Sequence, residues 1–127
     1  MSTQVRKFMN QPVISCALPC EVGDVRDLMN QKGCHAIPLV DVGENNEINI
    51  RGIVTSDDLI GVYDDTIDIQ QIMSKNVHVV NPQSNAQSAA KMMLRHNTHH
   101  LVAMEEGRIV GIISSLDFVD LIAEKGI

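Results

Sequence analysis

The chain has 127 residues, a formal net charge of −6 and an isoelectric point of about 5.2. The acidic charge and the low aromatic content of 2% exclude the basic surface and stacking side chains on which nucleic-acid binding depends. No apolar run reaches the roughly 18 residues of a membrane span, and the first residues lack the apolar segment of a secretory signal. We therefore expect a small soluble protein of the cytoplasm that binds neither nucleic acid nor membrane.

The first half of the chain is predicted to contain three strands and two helices. Short β-branched or apolar runs predict strands at 13–15, 37–40 and 50–54. Val22, Val25, Leu28 and Met29 have the spacing of one apolar helix face, and they predict a helix between the first two strands. A second helix is predicted at 56–63.

The second half repeats the same order of elements. A short helical lead-in at 69–73 and a strand at 77–80 come before a helix that Ser84 is predicted to start, with Gln87 completing a capping box. Strands at 101–104 and 109–113 flank a tight turn, and a last helix is predicted at 115–124. Each half thus reads β-α-β-β-α, in which the helix permits a parallel crossover and the turn predicts a hairpin.

The repeat has a constant register over much of its length. Four pairs of identical residues lie 64 positions apart: Met9 and Met73, Val13 and Val77, Met29 and Met93, His35 and His99. The spacing falls to 59 between Gly52 and Gly111, which places five extra residues of the first copy in the loop at 42–49. We divide the chain into a first repeat at 1–66, which includes an N-terminal lead-in, and a second at 67–127.

Both repeats contain the pattern Gly-x-x-[Thr/Ser]-x-x-Asp, which we call the first and the second motif. The hydroxyl and carboxylate are Thr55 and Asp58 in the first, Ser114 and Asp117 in the second. An ionised carboxylate at a strand-to-helix turn can accept hydrogen bonds from two sugar hydroxyls. The same pattern is also a capping box, in which both side chains bond to backbone N–H groups, and one residue can serve both purposes.

The three cysteines, Cys16, Cys20 and Cys34, are expected to be reduced thiols in the cytoplasm. A redox or metal sensor built from these cysteines and the histidines is a separate hypothesis. The second repeat lacks the three cysteines, and structural zinc requires four ligands at closer spacing, so we expect no metal site. We also expect no enzymatic activity and name no catalytic residue, because no catalytic motif stands out.

The repeated Met-x-x-x-Val opening, the segment Cys34-His35-Ala36-Ile37-Pro38-Leu39-Val40-Asp41 and the closing Gly-Ile-Val-Thr-x-x-Asp-Leu resemble a tandem pair of CBS (cystathionine β-synthase) domains, or Bateman module. The resemblance covers about residues 5 to 125. It implies an α/β (α+β) fold in which two β-α-β-β-α repeats pack sheet to sheet with pseudo-twofold symmetry. It also implies a homodimer.

The same resemblance implies an adenosine-containing regulatory ligand in the clefts between the repeats, either an adenine nucleotide (AMP, ADP or ATP) or S-adenosylmethionine, and no required cofactor. The residues expected to bind ribose or phosphate are Thr55, Asp58, Ser114 and Asp117. Those expected to face phosphate are His35, His99 and His100. An apolar slot for adenine is expected from the first and inner strands, with Val13, Ile14, Ile37, Pro38, Val77, His78, Leu101 and Val102 as its walls.

We expect a stand-alone CBS-pair regulatory module that binds this ligand and signals in trans to an unidentified protein partner. The cleft beside His99 and His100 is expected to handle phosphate charge better, because Ala36 stands where the first repeat would have its second histidine. The alternative is a ligand-free oligomerisation or protein-interaction module whose motifs serve as helix caps.

Overall fold

A computed structural model describes residues 3–126, which divide into two compact units. The first-repeat unit is Ile14–Val77. The second-repeat unit joins the described residues before Ile14 to those from His78 onward. Each unit thus contains the sheet of one repeat and the lead-in segment of the other. The sequence-based division into 1–66 and 67–127 describes the repeats and stays a prediction.

The first-repeat unit contains a three-stranded sheet in the order β1-β2-β3. Its strands are β1 (Cys16–Ala17), β2 (Ala36–Val42) and β3 (Ile48–Thr55), with β1 parallel to β2 and β3 antiparallel to it. Helix α1 (Val22–Lys32) forms the crossover. A capping box between Glu21 and Asp24 starts α1, and Gly33 ends it in the left-handed conformation (φ 66°).

The second-repeat unit has the same topology, with β4 (Val79–Val80), α2 (Ala86–His96), β5 (His100–Glu105), β6 (Arg108–Ser114) and α3 (Ser115–Lys125). The sheet order is β4-β5-β6, again parallel and then antiparallel. The predicted mixed α+β fold is therefore confirmed, and the described part of the chain forms two three-stranded sheets and three α-helices. None of the helices between residues 3 and 126 is both long enough and apolar enough to cross a bilayer.

Each unit has its own aliphatic core between sheet and helix. Alternation along β2 points Ile37 and Leu39 into the first core, and alternation along β5 points Leu101 and Ala103 into the second. The sheets also share an irregularity, since the strand register shifts after Leu39 in β2 and after Ala103 in β5. These two positions are 64 residues apart, so the repeat seen in sequence extends to backbone detail.

The lead-in segments explain why both motifs begin with glycine. Met73 and the Ser74 carbonyl lie over Gly52, so a Cβ on that glycine would stand 2.6 Å from the Met73 sulfur and 2.8 Å from the carbonyl oxygen. Met9 lies over Gly111 in the same way, and there a Cβ would come within 2.7 Å of the Met9 Cγ. The repeated Met and Gly are therefore packing partners inside each unit.

The predicted helix at 56–63 is wrong. The structure forms only one 3₁₀ turn, Asp57–Leu59. Ile60 is already extended (ψ 125°), and Gly61 has a φ of 82°, a left-handed conformation that ends helical geometry. The two repeats differ here, because the second motif leads into the full helix α3.

Two boundaries were also misplaced. The strand predicted at 13–15 forms at Cys16–Ala17, because β2 pairs with it only through Leu39 and Val40. The cap of α2 is Asn85 rather than Ser84, since the Asn85 side chain accepts a hydrogen bond of 2.8 Å from the Ser88 N–H. Asn and Ser are about equally favoured as helix N-caps, so residue type alone could not decide between Ser84 and Asn85.

Candidate functional site

The first motif closes a tight turn at the end of β3. The Thr55 N–H donates to Asp58 Oδ2 at 2.8 Å, and the Asp58 N–H donates to Thr55 Oγ1 at 3.4 Å. The capping interpretation is thus confirmed for this motif. Asp58 is exposed, and its Oδ1 accepts no hydrogen bond from residues 3–126. Asp58 Oδ2 therefore stabilises the turn, and Oδ1 is left to accept a hydrogen bond from a ligand.

The second motif forms the same box at the start of α3, with more donors. Asp117 Oδ2 accepts from the Ser114 N–H at 2.7 Å and from the Ser114 hydroxyl at 3.2 Å. A third donor is the Asn10 side chain, whose Nδ2 lies 2.8 Å from the same oxygen. Asp117 and Ser114 are both half-buried. The second carboxylate is thus held more firmly than the first.

Asn10 is a site residue that sequence reasoning missed. Its backbone N–H donates to the Ile112 carbonyl at 2.8 Å, and its Nδ2 also approaches that carbonyl at 3.3 Å. The 64-residue register could have indicated it, because Asn10 follows Met9 as Ser74 follows Met73. Ser74 exchanges backbone hydrogen bonds with Ile53 but makes no side-chain bond to Asp58 in the described chain. The 64-residue register therefore identifies the position equivalent to Asn10, but it does not predict the hydrogen bond to the motif carboxylate.

The predicted phosphate-facing histidines lie beside the motifs through backbone pairing. The His35 carbonyl accepts from the Ser56 N–H at 2.8 Å, and the His99 carbonyl accepts from the Ser115 N–H at 3.0 Å. His100 pairs with Ser114 across β5 and β6. His35 and His99 are exposed, and His100 is half-buried. Each unit therefore brings its histidines and its motif to the same end of a hairpin.

A pocket of about 350 Å³ lies beside the first motif in the first-repeat unit. Its walls include Met29, Asn30, His35, Ser56, Leu59 and Arg26. Arg26 was not predicted as a site residue. Its Nε lies 3.3 Å from Asp65 Oδ1, and its Nη2 donates to the Val62 carbonyl. The position 64 residues later is Ala90, so the second repeat has no equivalent cation.

The CBS domain family profile matches the chain twice, over residues 5–65 and 69–124. The chain belongs to the CBS domain family. An uncharacterised protein of Methanocaldococcus jannaschii is 30% identical over 98% of the chain, which spans 46% of that protein. An inosine-5′-monophosphate dehydrogenase of Korarchaeum cryptofilum is 28% identical over 90% of the chain, which spans 23% of the enzyme. The CBS pair thus spans less than half of these curated relatives.

Solved CBS proteins share the fold of this pair. The CBS domain pair of protein MJ0100, in complex with 5′-methylthioadenosine and S-adenosyl-L-methionine, has a TM-score of 0.81 at 23% identity. That match covers 98% of this chain and 99% of the other. A hexameric CBS-CP12 protein from bloom-forming cyanobacteria has a TM-score of 0.81 at 25% identity, covering 94% and 67%. The predicted membership of the CBS family is confirmed.

The predicted adenine-slot residues occupy two kinds of position in this CBS pair. Ile37 and Leu101 are fully buried in the two cores, whereas Pro38 and Val102 are buried on the opposite sheet faces. The half-buried residues precede the short strands β1 and β4, and they are Val13, Ile14, Val77 and His78. Only this second set has partly exposed side chains.

His78 has a ring partner that the sequence did not indicate. Its imidazole stacks on that of His96 at a centroid distance of 4.0 Å and an angle of 14°. Two nearly parallel rings at this distance cannot share one metal ion, because a ligated metal lies in the plane of each imidazole. Within residues 3–126, no three His, Cys, Asp or Glu side chains are arranged to hold a metal.

Proposed function

We propose that this CBS pair is a cytoplasmic regulatory module that binds an adenosine-containing ligand, AMP, ADP, ATP or S-adenosylmethionine, at its two motif sites. One observation carries the proposal: each motif presents a carboxylate that uses Oδ2 for the turn and leaves Oδ1 without a partner among the described residues. Ribose offers two vicinal hydroxyl donors, for which an ionised carboxylate is the natural acceptor. The ligand is regulatory, and no cofactor is required.

The complex of the MJ0100 pair with two adenosine compounds supports this class of ligand, since a protein of the same fold binds them. The motif side chains of this chain offer a hydroxyl and a carboxylate but no catalytic constellation. We therefore propose that the site acts by binding the ligand, and that the bound state is signalled to a protein partner in trans. To regulate, the ligand must bind one conformation of the module better than another.

The two sites differ in the charge that they offer a phosphate. The second has His99 and His100, as the sequence suggested. The first has His35 and, in addition, the Arg26 guanidinium at its pocket. Arginine is charged at every physiological pH, whereas histidine loses its charge near neutrality. We propose that the Arg26 guanidinium, which has no counterpart in the second repeat, gives the first site a permanent positive charge for a phosphate.

The test is calorimetric titration of the protein with AMP, ADP, ATP and S-adenosylmethionine, followed by titration of Asp58→Asn and Asp117→Asn variants. Asparagine keeps an oxygen that can accept the capping bond while it removes the carboxylate charge. The matched controls are Asp57→Asn, in the same turn as Asp58, and Asp120→Asn, on the same helix as Asp117; both control side chains are exposed.

We expect each motif substitution to weaken binding at its own site by about tenfold or more, which corresponds to the loss of about 1.4 kcal/mol from charge-assisted hydrogen bonds. The control substitutions should leave affinity unchanged. Absence of binding by every ligand at millimolar concentration would refute the proposal. Equal losses in the controls would show that general charge, rather than the motif carboxylate, attracts the ligand.

A second candidate function is a ligand-free oligomerisation or protein-interaction module, and the capping bonds at both motifs favour it. Helix α3 also exposes three large apolar side chains, Leu116, Val119 and Ile122, which are 69%, 58% and 50% exposed. Such a stripe fits a second copy of the chain, as in a homodimer. The hexameric CBS-CP12 protein shows that one relative assembles.

Light scattering separates the two functions. The second candidate predicts a dimer whose mass does not change with nucleotide or with Asp58→Asn. Val119→Lys should convert this dimer to monomers, because a charge would have to be buried in the apolar contact. Asp120→Lys, on the same helix at an exposed position, is the control for the added charge. A monomer in the unmodified protein would contradict the homodimer.

A further inference from the structure

Residues 60–67, which we call the strap, join the 3₁₀ turn of the first motif to the lead-in segment of the second repeat. The strap is bonded to the first turn of α1. The Val22 N–H donates to the Ile67 carbonyl at 2.9 Å, and the next N–H, that of Gly23, donates at 2.9 Å to a strap carbonyl, that of Asp65. A Cβ on Gly23 would stand 2.9 Å from the Asp65 Cβ. The strap therefore lies directly against α1.

Arg26 on α1 also holds the strap, through its side chain. Its Nε lies 3.3 Å from Asp65 Oδ1, and its Nη2 donates to the Val62 carbonyl. The same side chain lines the pocket of about 350 Å³ beside the first motif, together with His35 and Ser56. Arg26 therefore contacts both the strap and the pocket, and the strap occupies its Nε and Nη2 donors.

We propose that the strap and a ligand phosphate compete for Arg26, so that phosphate binding releases the guanidinium from Asp65 and from the Val62 carbonyl. This inference rests on the proposed function, because the phosphate is that of an adenine nucleotide bound at the first site. Release loosens a surface on which Ile60 and Tyr63 are 77% and 91% exposed. A change in this surface is a physical form that the signal to a protein partner can take.

The bond between Arg26 and Asp65 is weak enough to be exchanged. The two side chains are 34% and 62% exposed, and ion pairs at such exposure contribute little because water screens them. A phosphate carries more than one negative charge at neutral pH, and its oxygens match the fork of the guanidinium, so it forms the stronger pair. Competition by the strap therefore lowers phosphate affinity without preventing binding.

The strap can loosen without unfolding of the first-repeat unit. Gly61 has a φ of 82°, and nothing beyond its chain neighbours lies within 4 Å of the place where a Cβ would stand. Val62 and Ile67 pack against the core, whereas residues 63–66 between them are exposed. We therefore expect the change to be confined to the part of the strap near Tyr63, while the core contacts persist.

The second repeat has no such device. The position equivalent to Arg26 is Ala90, and the second motif leads into α3 rather than into a strap. Competition for a guanidinium is therefore a property of the first site.

Tyr63 is the single tyrosine of the chain, so 3-fluorotyrosine labels the strap alone. The test follows its ¹⁹F NMR signal while the protein is titrated with AMP or with adenosine, and calorimetry measures the affinity of each. We expect AMP to shift the signal in proportion to its binding. Adenosine, which lacks the phosphate, should bind without this shift.

The affinities of variants show whether the strap competes with the phosphate or supports its binding. Asp65→Asn removes the competing charge, so it should bind AMP about two- to fivefold tighter and adenosine as before. Gly23→Ala should also tighten AMP binding, because its Cβ would displace Asp65 without changing any charge. Arg26→Gln should weaken AMP binding by about tenfold, toward the affinity of adenosine. Asp27→Asn, exposed on the same helix, is the control for a lost charge and should bind AMP as the unmodified protein does.

Asp65→Asn decides the matter even if Gly23→Ala fails to fold, because the Asp65 side chain is exposed. If AMP binds but the Tyr63 signal does not move, or if Asp65→Asn binds AMP no tighter, the competition is overturned while the proposed function stands. An equal gain in Asp27→Asn would assign the effect to general charge and would also overturn it. Failure of both AMP and adenosine to bind would refute this inference and the proposed function together.

Discussion

Replacement of Asp117 by alanine should destabilise the protein more than replacement of Asp58. Asp117 Oδ2 accepts three hydrogen bonds, two from Ser114 and one from Asn10, and the side chain is half-buried. Asp58 Oδ2 accepts one, from the Thr55 N–H, at an exposed position. The two substitutions should therefore lower the free energy of unfolding by measurably different amounts.

The magnitude follows from the number of bonds and from their exposure. Loss of one exposed capping bond costs about 1 kcal/mol, which is our expectation for Asp58→Ala. Asp117→Ala also frees the Asn10 amide and removes the acid from the first turn of an eleven-residue helix. We expect about 2 to 3 kcal/mol for this variant, below the sum of three charge-assisted bonds because water reaches the half-buried groups.

The assay is urea unfolding at neutral pH without ligand, followed by circular dichroism, with unchanged m-values as the condition for comparing midpoints. Asp117→Asn should recover much of the loss, since its oxygen can still accept. Asn10→Ala should cost about 0.5 to 1.5 kcal/mol, the usual range for one hydrogen bond. If Asp58→Ala proved as costly as Asp117→Ala, the hydrogen-bond count would not explain the stability of the motifs.

Three further predictions concern packing and pH. Gly111→Ala should cost about 1 to 3 kcal/mol, because the new Cβ overlaps Met9. Stability should fall by up to about 1.4 kcal/mol per pH unit as pH rises from the ordinary thiol pKa of 9.0 toward about 12, because the unfolded chain ionises Cys20 before the folded one does. Thr66→Val should raise the pKa of Asp64, measured by NMR titration, because the Thr66 hydroxyl bond holds it below its ordinary value of 3.8.

Each of these has a control. A Gly111→Ala and Met9→Ala double variant should show coupling between the two sites, and strict additivity would argue against their contact. Cys20→Ala should flatten the alkaline loss of stability, and an unchanged slope would assign the loss to other groups. Because its pKa is lowered in the folded state, ionised Asp64 contributes to the free energy of unfolding above its ordinary pKa and loses this contribution as pH falls. Thr66→Val should therefore reduce the contribution of Asp64 to stability at neutral pH. An unchanged Asp64 pKa would contradict the assignment.

The sequence predicted the repeat, the order of the strands, three of the four helices and the family, because these depend on patterns that recur within the chain. The register of 64 residues even placed Met9 and Met73 at equivalent positions, and the structure shows that both cover a motif glycine. The motif hydroxyls and carboxylates form the capping bonds that the sequence offered as the alternative to ribose binding, and ribose binding stays a prediction. These features are local, since each is decided by residues a few positions apart or by the repetition itself.

The two misplaced features have different causes. The helix expected at 56–63 has apolar residues at suitable positions, but Ile60 and Gly61 leave helical geometry after one turn. Strand β1 is set by its partners Leu39 and Val40. The position of β1 is not decided by its own residues, because a strand needs a partner, whereas the helical turn ends at Gly61 within its own segment.

The sequence alone determined that two CBS repeats each carry a hydroxyl and a carboxylate at a strand end. Tertiary structure decided which hydrogen-bond donors and which charged side chains surround each pair. It brought Asn10 from across the chain to Asp117, brought Arg26 to the pocket beside Ser56, and left Asp58 with a single donor. The physical reason is that hydrogen bonding and burial depend on distance in space, and residues 107 positions apart become neighbours only once the chain has folded.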